Sequence, residues 1–358
     1  MGKLTYLALF PIIYLLVTHL LHVFYFAGEV CKCKSNTKLH GKTVIVTGAN
    51  TGIGKYTAMD LAARGARVIL AGRSAQRTLP VVEEIKRKTG NAQVLFMGLD
   101  LASFDSIQRF SEEFLKNEER LNILINNAGM VSTSDEIQLT EDGIEITLMV
   151  NHLGHMFLTQ NLLNILKKSG PGSRVVTVSS MSHDFANPNA FKNLDDLKVD
   201  GAADVVSGEW PYSQVIHKSA AMRYTNSKLA NVLFSKELSN RLAGSGVTTY
   251  SLHPGAIVTE LYKDISGLGR KNGIIQTMMD LPEYIKTLTF PFKTMVEGAQ
   301  TSICCAVNEE LASESGQYYS DCVAKHVSRR ELYGDYPAKF WGWSEGLIRE
   351  AMSKRSRK

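Results

Sequence analysis

Cysteine is scarce in this chain, neither sign of charge dominates, and one long segment carries no charge at all. Among 358 residues there are 5 cysteines, 3 tryptophans and 9 prolines, and 40 Lys+Arg stand against 35 Asp+Glu for a formal charge of +5. So small an excess gives no ground for a nucleic-acid partner. With 44% hydrophobic residues, the chain is neither disordered nor collagen-like, and it lacks the many apolar runs of a polytopic membrane protein. An odd cysteine count, with Cys304 and Cys305 adjacent, suits a reduced compartment better than a disulfide framework. No group of His, Cys, Asp or Glu has metal-ligand spacing, so no metal is expected. There is no internal repeat. A mean hydropathy of −0.08 averages over an uneven chain.

The uneven part is the amino terminus. From Leu4 to Phe26 there is no Asp, Glu, Lys or Arg, and as a helix this run reaches roughly 34 Å, enough to cross a hydrocarbon core of about 30 Å. The run predicts a membrane anchor over 1–28, with residues 4–26 in the lipid bilayer, and a basic linker over 29–41. It is longer than a signal-peptide core and ends Tyr25-Phe26-Ala27-Gly28, without a small-x-small cleavage site. Lys32, Lys34, Lys38 and Lys42 follow the span and only Lys3 precedes it, which puts the remaining chain on the cytosolic face. The absence of any Asn-x-Ser/Thr acceptor agrees with that orientation. Cys31 and Cys33 read either as lipid acceptors beside the membrane or as free solvent-facing thiols.

Downstream, apolar strands alternate with amphipathic helices. Strands are predicted over 43–46, 67–71, 93–98, 121–125, 174–178 and 247–252. Helices are predicted from the glycine-rich stretch to about Arg64, and over 80–88, 106–116 and 223–242. This alternation predicts an α/β fold with a doubly wound parallel sheet. The first strand runs straight into Gly48-Ala49-Asn50-Thr51-Gly52-Ile53-Gly54. Glycines at a strand-to-helix turn let the backbone approach a pyrophosphate held at the helix amino terminus. The end of the second strand then selects the nucleotide, because an acidic residue there binds a ribose 2′-hydroxyl and an arginine accommodates a 2′-phosphate. No Asp or Glu lies between Ala66 and Val82, and the strand ends Ala71-Gly72-Arg73-Ser74. NADP(H) is therefore expected, with Arg73 on the 2′-phosphate and Lys55 as help.

Tyr224 and Lys228 are four residues apart on a predicted helix and so share a face. A free phenol has a pKa of about 10, and a neighbouring cation favours its phenolate. Such a pair can take a proton from an alcohol or return one to an alkoxide.

Thr47-Gly48-x3-Gly52-x-Gly54, Asp100, Asn126-Asn127-Ala128-Gly129, Asn151, Ser179-Ser180, Tyr224-x3-Lys228 and His253-Pro254-Gly255 follow one another in the order that marks short-chain dehydrogenases/reductases. The chain resembles that family over Leu39 to Asp321. Val150-Asn151-His152-Leu153-Gly154-His155 and Ser227-Lys228-Leu229-Ala230-Asn231 are similar to its membrane-bound retinol dehydrogenase branch. The resemblance implies a Rossmann-like domain over 42–335, followed by a carboxy-terminal helix and basic tail over 336–358. It implies Tyr224 as acid/base, Lys228 as the cation that lowers its pKa and holds the nicotinamide ribose, and Ser180 as the hydroxyl on the substrate oxygen. Asn151 takes the position that supports a water between the lysine and solvent. The glycine loop, including Asn50, Thr51 and Ile53, would hold the pyrophosphate. Asp100 and Leu101 would flank the adenine, Asn127 and Ala128 the ribose, and the loop Pro254 to Thr259 the carboxamide. His152 and His155 read as packing or helix-bonding residues. An endoplasmic reticulum membrane is implied by the family alone.

Ser180 and Tyr224 are 44 positions apart, more than the family usually allows, so 187–221 is expected to loop out near the substrate mouth, with Trp210 and Tyr212 as apolar contacts. The stretch from Ile257 to Met295 is apolar enough to line a lipid pocket or lie on the bilayer. Together these readings favour interconversion of a lipophilic alcohol with its aldehyde or ketone, a retinoid being the first expectation. A steroid or other lipid carbonyl reductase, or an NADP(H)-binding membrane protein without catalysis, are the competing expectations.

Overall fold

The computed structural model describes Tyr14, Val17 and residues 31–132, 134–186, 219–257, 293–327 and 334–355. The expected span over 4–26, apart from Tyr14 and Val17, lies outside the described residues, as do residues 187–218 of the insertion and 258–292 of the apolar stretch. Among the described residues no helix is long and apolar enough to cross a membrane.

Strand β1 (Thr43–Thr47) is made of five β-branched residues and is buried along its length. Such side chains are stiff at χ1 and fit a pleated surface. Their alternation sends Ile45 into the apolar cluster on one face of the sheet and Val44 and Val46 into the cluster on the other. A strand with both faces covered belongs at the centre of a parallel sheet. Around it lie β2 (Arg67–Gly72), β3 (Val94–Gly98), β4 (Ile123–Asn126), β5 (Ser173–Val178), β6 (Val247–His253), β7 (Gln317–Ser320) and β8 (Val323–Lys325). Their order is β3-β2-β1-β4-β5-β6-β7-β8, parallel until β8 turns back against β7. Strand order reverses between β1 and β4, so the carboxyl ends of these two strands frame a crevice.

Helices α1 (Gly52–Ala63), α2 (Ala75–Thr89) and α6 (Met295–Val307) cover one face. Helices α3 (Phe104–Asn117), α4 (Gly154–Lys168), α5 (Ala220–Arg241) and α7 (Tyr336–Arg355) cover the other. The terminal α7 is anchored by its aromatics, with Trp341 stacked on Phe234 of α5 at a ring separation of 5.6 Å. The predicted strands and helices are all present, with ends shifted by a few residues. Helix α2 differs most, beginning at Ala75 rather than Pro80. Ser74 accepts the Arg77 amide as an N-cap, and Pro80 sits inside the helix at the loss of one backbone bond. Helix α4 carries His155, read from the sequence as lying on a helix without given ends, whereas helix α6 and strands β7 and β8 were not expected.

The cysteines depart from expectation. Cys31 is disulfide-bonded to Cys322, with a Cα–Cα separation of 6.0 Å across 291 residues of chain. Cys33 is not solvent-facing but half-buried, and its thiol hydrogen-bonds Cys304. The cause is the path of the linker, which runs back over α6: the Cys33 amide donates to Gln300 Oε1 at 2.9 Å, and Ser35 Oγ to the Val307 carbonyl at 3.3 Å. Proximity between residues so far apart in sequence leaves no trace in cysteine spacing. Peptide mapping of the unreduced protein should recover Cys31 joined to Cys322 and alkylate Cys33, Cys304 and Cys305 after denaturation. Cys322→Ser should lower unfolding stability by about 2 to 4 kcal/mol, whereas free Cys31 and Cys322 in the map would contradict the pairing.

Candidate active site

At the end of β1 the Thr47 hydroxyl accepts the amides of Asn127 and Ala128, each at 2.9 Å. Asn127 Nδ2 returns to the Thr47 carbonyl at 2.8 Å. These bonds lock the carboxyl end of β1 to the loop that follows β4. The glycine loop fits into the remaining space. Gly48 has φ +66, and a Cβ there would come within 2.9 Å of Ala128 Cα. A Cβ on Gly54 would lie 2.7 Å from the Gly48 carbonyl and closer still to Asn127 Nδ2. Both positions require glycine.

Helix α1 starts without neutralising its own amino terminus. Its N-cap Thr51 makes no side-chain capping bond, and its first turn has no acidic residue. The amides of that turn and the positive end of the dipole are thus directed at the crevice, which suits a phosphate. Asn127 Oδ1 is buried without a partner beside them. The residues present therefore fit a dinucleotide.

Arg73, at the far end of β2, is exposed on the rim and makes no hydrogen bond or ion pair with another described residue. Lys55 does not join it. Its ammonium pairs with Glu84 of α2 at 2.7 Å, and Lys55 and Lys88 together pull the Glu84 carboxyl down to about 2. Asp100 accepts the Ala102 amide at 2.9 Å, while its own amide donates to Ser106 Oγ.

Tyr224 and Lys228 lie on one face of α5, as their spacing predicts, and both are buried. Lys228 Nζ stands 5.4 Å from the centre of the Tyr224 ring and donates to the Val178 carbonyl at 3.2 Å. Burial dominates both groups. It pushes the Tyr224 phenol up to about 12, with a hydrogen bond from Ser180 offsetting part of the rise, and pulls Lys228 down to about 8. The expected lowering of the phenol by Lys228 is therefore not what governs it here. Both Ser179 and Ser180 line the cavity, but Ser180 is half-buried, whereas Ser179 is buried and its hydroxyl donates to the Lys228 carbonyl at 2.6 Å.

Asn151 sits on a π-helical turn, Met149–Leu153, closed by the Gly154 amide on the Met149 carbonyl. Such wide turns are frequent at functional sites. Asn151 Oδ1 accepts the Met130 amide at 2.8 Å, and Nδ2 donates to the Met130 carbonyl and to Ser227 Oγ, both at 2.9 Å. Ser227 Oγ in turn donates to the Tyr224 carbonyl at 2.6 Å.

One cavity of about 620 Å³ collects these groups, within the range of small-molecule sites. Gly48, Asn50, Thr51, Gly52, Ile53, Gly54, Arg73, Asp100, Leu101, Asn127, Ala128, Ser180, Tyr224, Lys228 and Pro254 all line it. Asn151 is fully buried one layer behind, and Thr259 lies outside the described residues. The sequence reading missed Met130, Ser227 and the junction role of Thr47. Met130 contributes backbone groups, which no side-chain motif reveals, and Ser227 was visible only as a residue within the Tyr224 to Lys228 interval.

A glycine cradle at the strand-order switch, joined in one cavity to a half-buried serine and a buried tyrosine and lysine, defines a nucleotide-dependent oxidoreductase fold. The chain belongs to the short-chain dehydrogenase/reductase family, whose model, described as short chain dehydrogenase, matches residues 42–191. It is 44% identical over 317 residues to retinol dehydrogenase 11 of Mus musculus, covering 88% of this chain and 89% of that protein. The run Leu95 to Ser103 resembles dehydrogenase/reductase SDR family member 13, and the Bos taurus protein of that name is 38% identical over 310 residues, 85% of this chain and 72% of its own length. Among solved structures, an uncharacterized protein from Mycobacterium paratuberculosis superposes with a TM-score of 0.61 at 30% identity, covering 87% of this chain and 95% of its own.

The cradle makes a direct prediction. Gly54→Ala should push aside Asn127 and the Gly48 carbonyl, weakening nucleotide binding by at least about tenfold, or ~1.4 kcal/mol, and lowering the thermal unfolding midpoint as well. Fluorescence titration measures it, and unaltered affinity would show that the cradle does not hold the nucleotide.

Proposed function

We propose that the protein is a membrane-anchored, NADP(H)-dependent oxidoreductase that interconverts a lipophilic alcohol with its aldehyde or ketone, a retinoid being the first candidate. The observation that carries this reading is the single cavity in which the glycine cradle meets Ser180, Tyr224 and Lys228. NADP(H) over NAD(H) is supported by Arg73, an exposed guanidinium on the rim with no partner among the described residues and no carboxylate near it on β2. A lipophilic substrate is supported by Met130, Val131 and Met181 among the residues that line the cavity, and by the retinol dehydrogenases to which the chain is similar.

The nicotinamide supplies the hydride, and this chain's own groups manage the proton. Ser180 orients the carbonyl oxygen and Tyr224 gives its proton to that oxygen in reduction or removes one in oxidation. Lys228 holds the ribose side of the site. Because burial raises the phenol to about 12, Tyr224 is protonated throughout the physiological range and ready to act as an acid. Reduction should therefore stay flat from pH 6 to well above neutrality, and oxidation, which needs the phenolate, should accelerate as pH rises.

Turnover of retinal and retinol by the membrane-embedded protein tests the reading. Tyr224→Phe should abolish both the activity and the alkaline rise while leaving NADPH binding intact, and Arg73→Ala should weaken NADPH far more than NADH. Retained turnover in Tyr224→Phe would remove the acid/base assignment, and equal loss for both nucleotides would remove the 2′-phosphate one.

The basic flank of residues 4–26 supports a domain on the cytosolic face of the membrane, and the family resemblance alone points to the endoplasmic reticulum. The Cys31–Cys322 bond argues the other way, since disulfides persist in oxidising compartments. Protease added to sealed microsomes should digest the domain, and a protected domain would reverse the orientation.

A further inference from the structure

His155 follows Asn151 by one helical turn, is almost fully buried, and touches both halves of the site. Its Nε2 is 2.9 Å from Thr47 Oγ1, and its Nδ1 is 3.2 Å from the Asn151 carbonyl. These two partners decide which nitrogen carries the proton. A hydroxyl has two acceptor positions and one donor, and the amides of Asn127 and Ala128 fill both acceptor positions. An N–H on Nε2 would meet an oxygen with no lone pair left to offer. The Asn151 carbonyl can only accept, so Nδ1 carries the proton and donates to it; Nε2 is then the bare nitrogen, facing a Thr47 hydroxyl whose one proton lies between Nε2 at 2.9 Å and the Ile125 carbonyl at 3.3 Å. Burial, reinforced by the nearby Lys228 charge, pulls this imidazole down to about 4, in keeping with a neutral ring.

The carbonyl it holds belongs to the wide turn. In a π-helical turn the amides reach five residues back, as Gly154 does to Met149, so the ordinary four-residue pairing is interrupted there. Beyond Asn151 the hydrogen bonds continue through Ser227 to the Tyr224 carbonyl. Thr47, His155, Asn151, Ser227 and Tyr224 thus form one unbroken chain from the nucleotide loop to the backbone of the tyrosine.

We propose that His155, as the neutral Nδ1–H tautomer, is a positioning residue: it holds the Asn151 carbonyl and thereby sets the Asn151–Ser227–Tyr224 chain against the nucleotide loop. This rests on the role given to Tyr224 above. It acts through Asn151 and touches neither substrate nor nucleotide.

Two near-isosteric replacements separate its bonds. Asparagine can place an N–H where Nδ1 is and keep the Asn151 bond, whereas glutamine can reach toward Thr47 but leaves Asn151 unheld. In the full-length, membrane-embedded protein, His155→Asn should keep kcat within a few-fold of wild type. His155→Gln should lose about tenfold to a hundredfold in kcat, with KM for NADPH unchanged. Equal activity in the two variants, or equal loss in both, would overturn the proposal. Tyr224→Phe, assayed alongside, distinguishes failure of this inference from failure of the acid/base reading, because only the latter leaves Tyr224→Phe active. A second measurement is independent of turnover: long-range ¹H–¹⁵N spectra of histidine-labelled protein should show His155 protonated on Nδ1 alone, and a proton on Nε2 would overturn the assignment.

Discussion

A single buried hydroxyl carries the geometry on which the rest of the site depends. Thr47 closes β1, and its Oγ1 binds two consecutive amides of the loop after β4 as well as the His155 ring. The parallel pairing of β1 with β4 sets the height of the two strand ends. The hydroxyl then fixes the loop that leaves β4 against the end of β1, and the glycines at 48 and 54 are forced, since no Cβ fits between the two loops. Each bond of this kind contributes on the order of 1 kcal/mol. Their larger effect is directional: two consecutive amides converge on one buried oxygen, with the Asn127 amide shared between it and the Ile125 carbonyl at 3.0 Å.

Burial does the second part of the work. The same layers of α4, α5 and α7 that complete the core exclude water from Tyr224, Lys228, His152 and His155. Desolvation raises the phenol and lowers the ammonium and the imidazoles, so each ionisable group is biased toward its neutral form. A site of this type is poised to donate a proton. His152 shows how the outer layer takes part: its Nε2 lies 3.1 Å from Ser344 Oγ of α7, tying the turn that carries Asn151 to the carboxy-terminal helix.

Much of this was legible in the sequence because it is local. The β-branched run of β1, the glycines at the following turn and the four-residue spacing of Tyr224 and Lys228 each depend on neighbours in the chain. What stayed hidden is long-range. The Cys31–Cys322 bond depends on a linker folding back over α6. The pairing of Lys55 with Glu84 depends on α1 lying beside α2. The N-cap at Ser74 competes with Pro80 for the start of a helix, and the proline was the louder signal. His155 read from spacing as a packing or helix-bonding residue, which covers its bond to the Asn151 carbonyl one turn back, but its partner Thr47 lies 108 positions earlier and left no local signal.

The central claim is that one cavity brings a nicotinamide and a lipophilic carbonyl together over Tyr224. Its most direct test is transfer of label: NADPH carrying deuterium at the reactive carbon, incubated with the membrane-embedded protein and retinal. The account predicts retinol bearing one deuterium from the wild type and none from Tyr224→Phe. Label in the product of both, or in neither across retinoid, steroid and medium-chain aldehyde substrates, would contradict it.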